Sequence, residues 1–120
     1  MLCKRKGEQD FDGIYSFIGG KLETTDENLL DGLRREKNEE IGNNCKLLVY
    51  TSFTTQEEYR KKDGISMILP HIYAIYKSGE IKLNDEYSDY KWVAINKLEE
   101  FEPKISTIVS VVKRLLELEK

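Results

Sequence analysis

Three glutamates fall within one short segment, REKNEEIG, where Glu36, Glu39 and Glu40 are preceded by Arg35 and closed by Gly42. On a helix, positions i, i+3 and i+4 share a face, so this spacing directs three carboxylates towards one patch of space. Such crowding is repulsive without a counter-charge. Arg35 reaches Glu39 at i+4, but one guanidinium cannot neutralise three acids. A hard divalent cation can, because Mg²⁺ and Mn²⁺ prefer carboxylate oxygens and keep waters that a substrate phosphate can replace. The competing reading is a solvated helix face, since charge runs commonly are one and glutamate is a strong helix former.

The preceding segment decides between the two. IYSFIGG, residues 14–20, is mostly apolar and ends on Gly19 and Gly20, as a strand entering a loop would. From Thr24 the period changes. Thr24 with Glu27 fits a capping box, with Thr25 or Asp26 as alternative caps. Leu29, Leu30, Leu33 and Ile41 then share one helical face, and Gly42 is a suitable left-handed stop. The expected helix covers 26–41 and returns the acids to the glycines, whose backbone permits close approach and can offer a carbonyl as a ligand. Gly32 inside that helix costs about 1 kcal/mol against alanine, which implies close packing there. A strand, a glycine loop and an acidic helix together read as a metal–phosphate site.

GGKLETTDENLLDGLRREKNEEIG, residues 19–42, resembles the Nudix box, the signature of hydrolases that cleave nucleoside diphosphates linked to another group. Its core falls on Arg35, Glu36, Glu39, Glu40 and Gly42. The usual box has one fewer residue between the double glycine and the Arg-Glu pair. Asp26 or Glu27 stands here where a glutamate normally falls, and Lys37 and Asn43 replace apolar residues. Ile18 occupies a place where proline often precedes the glycines. The longer spacing resembles the branch containing snoRNA-decapping and inosine-diphosphate-hydrolysing enzymes.

That resemblance implies water attack on a phosphorus of a pyrophosphate, assisted by Mg²⁺ or Mn²⁺. Glu36 and Glu40 are the implied metal ligands, joined by the main-chain carbonyl of Gly19 or Gly20. Glu39 would ligate a metal or take the water's proton, and Arg35 would orient Glu39. NDEYSDYKWVAINKLEEF, residues 84–101, looks like the family's acidic loop, tryptophan strand and short helix, so Glu86 is a second base or ligand candidate beside Asp85 and Glu23. Tyr50, Phe53 and Tyr59 follow the box and could flank a nucleobase by stacking. Tyr59 lies 17 residues past Gly42, where dinucleoside-polyphosphate hydrolases of this family tend to carry a tyrosine. Trp92 reads as a core residue and His71 as a satisfied structural histidine.

The remaining elements are legible as a frame. Leu2 to Arg5 is a short strand, and CKLLVYTSFTTQEEYR and ISMILPHIYAIYK are two strands joined by a KKDG turn. Pro70 implies a bulge or an edge position. YKWVAI reads as a further strand, Asn96 as the cap of a short KLEEF helix, and residues 105–116 as an amphipathic C-terminal helix. The expected fold is α/β (α+β), a Nudix-like α/β/α sandwich with a mixed sheet over a single domain, 1–120. The usual first strand of that fold is not seen before Leu2, so either the chain is truncated or the sheet is completed differently, a partner subunit in a homodimer being one way.

Composition bounds the partners. With 120 residues, 39% hydrophobic and 10% aromatic, the chain is globular. Its net charge of −3 and its scattered Lys and Arg give no broad nucleic-acid or membrane footprint. A nucleotide-type small-molecule substrate fits better than an RNA 5′ end, and a metal must supply much of the positive charge. Cys3 and Cys45, without a CxxC pair and with one histidine, exclude a zinc site and read as reduced thiols of a cytoplasmic protein. The alternatives are a decapping hydrolase and a non-catalytic nucleotide-sensing module. Retention of all three box glutamates favours catalysis.

Overall fold

Apolar and β-prone residues at the start of the chain form β1 (Leu2–Arg5), which lies between two antiparallel neighbours, β2 (Tyr15–Ser16) and β5 (Tyr87–Lys91). In this computed structural model the described residues are 1–7, 12–19, 28–60, 64 and 66–119; the side chains at 51, 57–60, 66–69 and 119 are outside that set. Cys3 faces Ser16 on one side and Tyr90 on the other, and a register shift after Lys4 brings Tyr87 opposite Arg5. Successive strand residues point to opposite faces. Leu2 and Cys3 are both fully buried, so this central strand is covered on both faces at that point. An isolated parallel bridge also joins Tyr15 to Lys104, while the pairings of β1 with β2 and β5 are antiparallel.

The helix α1 (Leu29–Ile41) starts later than its sequence suggests. Asn28 is extended and caps it, its side chain accepting from the Asp31 N–H at 2.9 Å. An extended Asn28 cannot continue a helix from residue 26, so the cap is Asn28. Thr24, Thr25, Asp26 and Glu27 lie outside the described residues. Gly42 ends α1 as expected, at φ 95 and ψ 159 with its N–H on the Asn38 carbonyl. Only glycine populates that region readily. Gly32 is buried within α1.

β3 (Lys46–Arg60) and β4 (Ser66–Ser78) form a separate two-stranded sheet. Pro70 lies in β4, which has one β neighbour among the described strands, so its missing N–H fits an edge position. The expected tryptophan strand is displaced. β5 ends at Lys91, and Trp92, 58% exposed, is not the core residue its size suggests. A 3₁₀ helix (Ile95–Lys97) replaces the expected KLEEF helix, and Asn96 lies inside it while Ala94 is its cap. The C-terminal helix α2 (Ile108–Glu119) buries Ile108 and Val111, whereas Ile105 precedes it.

The chain divides into two units. The first is Met1–Lys46 with Lys77–Ile105 and contains β1, β2, α1 and β5; the second is Leu47–Tyr76 with Ser106–Lys120 and contains α2 and most of the β3–β4 sheet. Buried Leu2, Cys3, Tyr15, Ile41, Cys45, Tyr87 and Leu98 give the first unit its core. Cys3 and Cys45 are both buried and unbonded, as the sequence implies.

Candidate active site

The last turn of a helix leaves carbonyls without intrahelical partners. In α1 two of these are satisfied by the segment leading into β5. The Lys82 N–H donates to the Ile41 carbonyl at 2.9 Å and the Asn84 N–H to the Glu40 carbonyl at 3.1 Å. Asn84 then folds the chain back, its side chain accepting from the Glu86 N–H at 3.0 Å. This is the local turn that asparagine favours. The Glu86 carbonyl in turn accepts from Lys6, just beyond β1. Helix end, turn and strand are thereby pinned together, and Glu86 and Tyr87 are delivered to Glu40.

Glu40 is 1% exposed. Its Oε2 accepts from the Gly19 N–H at 2.8 Å, and its Oε1 accepts from the Tyr87 hydroxyl at 3.3 Å. Gly19 has φ 153, a backbone setting that side-chain-bearing residues rarely adopt. The Glu40 carboxyl is pushed up to about 8. Burial is the main cause, followed by a hydrogen bond with the Glu86 carboxyl and the charges of Glu86 and Glu36; the Gly19 N–H opposes them. The Tyr87 phenol is raised by burial and by Glu40, and the Cys3 thiol is raised to about 12, chiefly by burial. The Glu40, Glu86 and Glu36 carboxyls are therefore gathered around one buried position.

The three box glutamates do not point as one group. At about 100° per residue, Glu36 lies between Glu39 and Glu40, which are about 100° apart around the helix. Glu40 turns inward, while Glu39 is half exposed. Arg35 bridges Glu36 at 2.9 Å and Glu39 at 3.3 Å, so it holds both rather than Glu39 alone. Among the described residues no three His, Cys, Asp or Glu side chains enclose a metal ion unaided. The donor chemistry nevertheless fits Mg²⁺ or Mn²⁺. It is all oxygen, it brings the Glu40, Glu86 and Glu36 carboxyls together, and such ions take few protein ligands and keep waters.

Other sequence candidates fall elsewhere. Gly20 and Glu23 lie outside the described residues, as does the Tyr59 side chain. Tyr50 and Phe53 are in the second unit, stacked with ring centroids 5.6 Å apart, and Tyr73 of β4 meets each edge-on. Tyr50 is 37% exposed. Asp85 is exposed and His71 half-buried. Tyr87 and Asn84 are the neighbours of Glu40 and Glu86 that sequence reasoning missed. Asn-Asp before Glu86 signals a turn, but nothing in the one-dimensional pattern aims Tyr87 at Glu40.

Residues 1–114 match the NUDIX domain. The chain is 31% identical over 115 residues to the nucleoside triphosphatase NudI of Escherichia coli O139:H28 (strain E24377A / ETEC), covering 89% of this chain and 81% of that protein. The same figures hold for the nucleoside triphosphatase NudI of Shigella sonnei (strain Ss046) and of Escherichia coli O1:K1 / APEC.

Proposed function

The chain belongs to the Nudix family and is a Nudix pyrophosphohydrolase acting on nucleoside phosphates; we propose that it hydrolyses a nucleoside di- or triphosphate, or a nucleoside diphosphate linked to another group, with Mg²⁺ or Mn²⁺ at the Gly19–Glu40–Glu86 centre. The observation that carries this reading is Glu40, a buried carboxylate fixed by the Gly19 amide and crowded by Glu86 and Glu36. A buried acid of that kind either holds a proton or pairs with a cation, and a bound divalent ion would favour its ionised form. Similarity to the NudI triphosphatases supports a nucleoside triphosphate as the first substrate.

Glu36 and Glu40 would hold the metal, with the main-chain carbonyl of Gly19 or Gly20 and with Glu39 or Glu86 as further oxygen donors. Once bound, the ion neutralises phosphate charge, orients the polyphosphate and lowers the pKa of a water. Glu86 is the better placed base, since its carboxyl lies against Glu40, whereas Glu39 is committed to Arg35. Arg35 orients Glu36 and Glu39 through its two ion pairs.

An RNA 5′ end is disfavoured by the net charge of −3. A non-catalytic module is disfavoured by the retained glutamates. β1 has a neighbour on both edges within this chain, so that strand is paired without a partner subunit. The NUDIX match runs through both units, which supports reading 1–120 as one domain, and buried free thiols suit a cytoplasmic protein.

The test is a panel of nucleoside di- and triphosphates with Mg²⁺ or Mn²⁺, extended to inosine nucleotides and capped RNA because of the box spacing, with phosphate and pyrophosphate distinguished by ³¹P NMR. Turnover should vanish in EDTA and return with either metal. Undiminished hydrolysis in excess chelator contradicts the mechanism.

A further inference from the structure

We infer that Tyr87 is a positioning residue whose hydroxyl, together with the Gly19 amide, fixes the orientation in which Glu40 presents its carboxylate to a divalent cation. The inference rests on the proposed reading of Glu40 as a metal ligand and adds a role for a residue outside the acidic segment.

A carboxylate on a long side chain has rotamer freedom, and a ligand that must be ordered at the moment of binding costs affinity. Glu40 is held at both oxygens: Gly19 donates to Oε2 at 2.8 Å and Tyr87 to Oε1 at 3.3 Å. Each carboxylate oxygen has two lone pairs, so one hydrogen bond apiece leaves one on each for a cation. The hydroxyl–carboxylate contact exceeds the usual O–H···O separation of about 2.8 Å, and hydrogen bonds to ionised acceptors are shorter. Ionised Glu40 should therefore draw the hydroxyl closer.

Tyr87 is itself held. It is 2% exposed, begins β5 opposite Arg5 after the register shift, and carries the Arg5 guanidinium 5.9 Å from its ring centroid. Its N–H meets the Asn84 carbonyl within the turn that clasps the end of α1. The hydroxyl is thus fixed by packing, not by the carboxylate it serves. Groups that orient a ligand from behind in this way typically change metal affinity or activity about 10–100-fold when removed.

Tyr15 supplies an internal control. It is another buried tyrosine, 4% exposed, and its hydroxyl bonds to Asp89 at 3.0 Å instead of to the acidic site. Mn²⁺ binding to wild type, Tyr87→Phe, Tyr15→Phe and Glu40→Gln would be followed by the electron paramagnetic resonance of free Mn²⁺, without substrate, with melting curves recorded for each. The expected result is a Mn²⁺ dissociation constant raised about tenfold or more in Tyr87→Phe, unchanged in Tyr15→Phe, and raised at least as much in Glu40→Gln. Wild-type affinity in a folded Tyr87→Phe overturns the inference, and so does an equal loss in Tyr15→Phe. Unchanged affinity in Glu40→Gln overturns the reading of Glu40 as a ligand itself. If Tyr87→Phe melts too low to assay, Tyr87→Trp keeps a ring donor near Glu40; affinity as weak as in Glu40→Gln then overturns the inference, and partial recovery supports it.

Discussion

Replacing Glu40 by glutamine should flatten the pH dependence of stability in the metal-free protein. Glu40 is almost completely buried and its carboxyl is pushed from an ordinary 4.5 to about 8. A folded-state value raised in this way means that its contribution is complete below the unfolded value and is lost as pH rises through the folded one. The window therefore runs from about pH 4.5 to about pH 8. At about 1.36 kcal/mol per pK unit the whole contribution has a ceiling of about 5 kcal/mol, of which roughly 3 kcal/mol falls between about pH 5 and pH 8. Relaxation and water entry reduce that figure, and about 1 kcal/mol would still move the melting temperature by several degrees. Glutamine can accept from Gly19 through its oxygen and donate to Tyr87 through its nitrogen, so the hydrogen bonds survive in kind. The Met1 amine, lowered by burial, titrates in both proteins and cancels in their difference. The assay is thermal melting of both proteins in EDTA across that range. Wild type should lose stability relative to Glu40→Gln as pH rises, and parallel curves would refute a buried Glu40 carboxyl.

Gly79 has φ 99, and a Cβ there would run into the Asn44 carbonyl, so Gly79→Ala should cost more than about 1 kcal/mol in urea unfolding; wild-type stability would mean that this close approach is absent. Asn28→Ala removes the cap of α1 and should lower stability by about 1 kcal/mol, whereas Asn28→Asp should not. Both cysteines are buried and free, so Ellman's reagent should react slowly with the native protein and release two equivalents after denaturation. Fast native reaction at either thiol would contradict their burial.

The acidic helix was legible because period, glycine stop and charge agreed on it, and α1 ends where Gly42 predicts. Its start was not legible, because threonine, aspartate and asparagine all cap and stand close together before Leu29. The tryptophan strand was misplaced by hydrophobicity. VAI after Trp92 looks like a strand, yet the pairing partner of β1 is the polar YSDYK, chosen by register opposite Cys3 and Lys4 rather than by its own pattern. Helical spacing suggested one patch for Glu36, Glu39 and Glu40; it did not reveal that Glu40 is fully buried and Glu39 half exposed while Arg35 holds Glu36 and Glu39. Tyr87 escaped notice because its role depends on a contact 47 residues away in sequence.

The most direct test of a catalytic centre at Glu40 is the steady-state rate of pyrophosphate or phosphate release from a nucleoside triphosphate at saturating Mg²⁺, compared between wild type and a folded Glu40→Gln. Loss of a charge-stabilising catalytic group costs about a hundredfold or more, so the account predicts a fall of at least that size with the melting curve intact. A Glu40→Gln protein that turns over at near the wild-type rate would mean that the buried carboxylate beside Gly19 is not the active site.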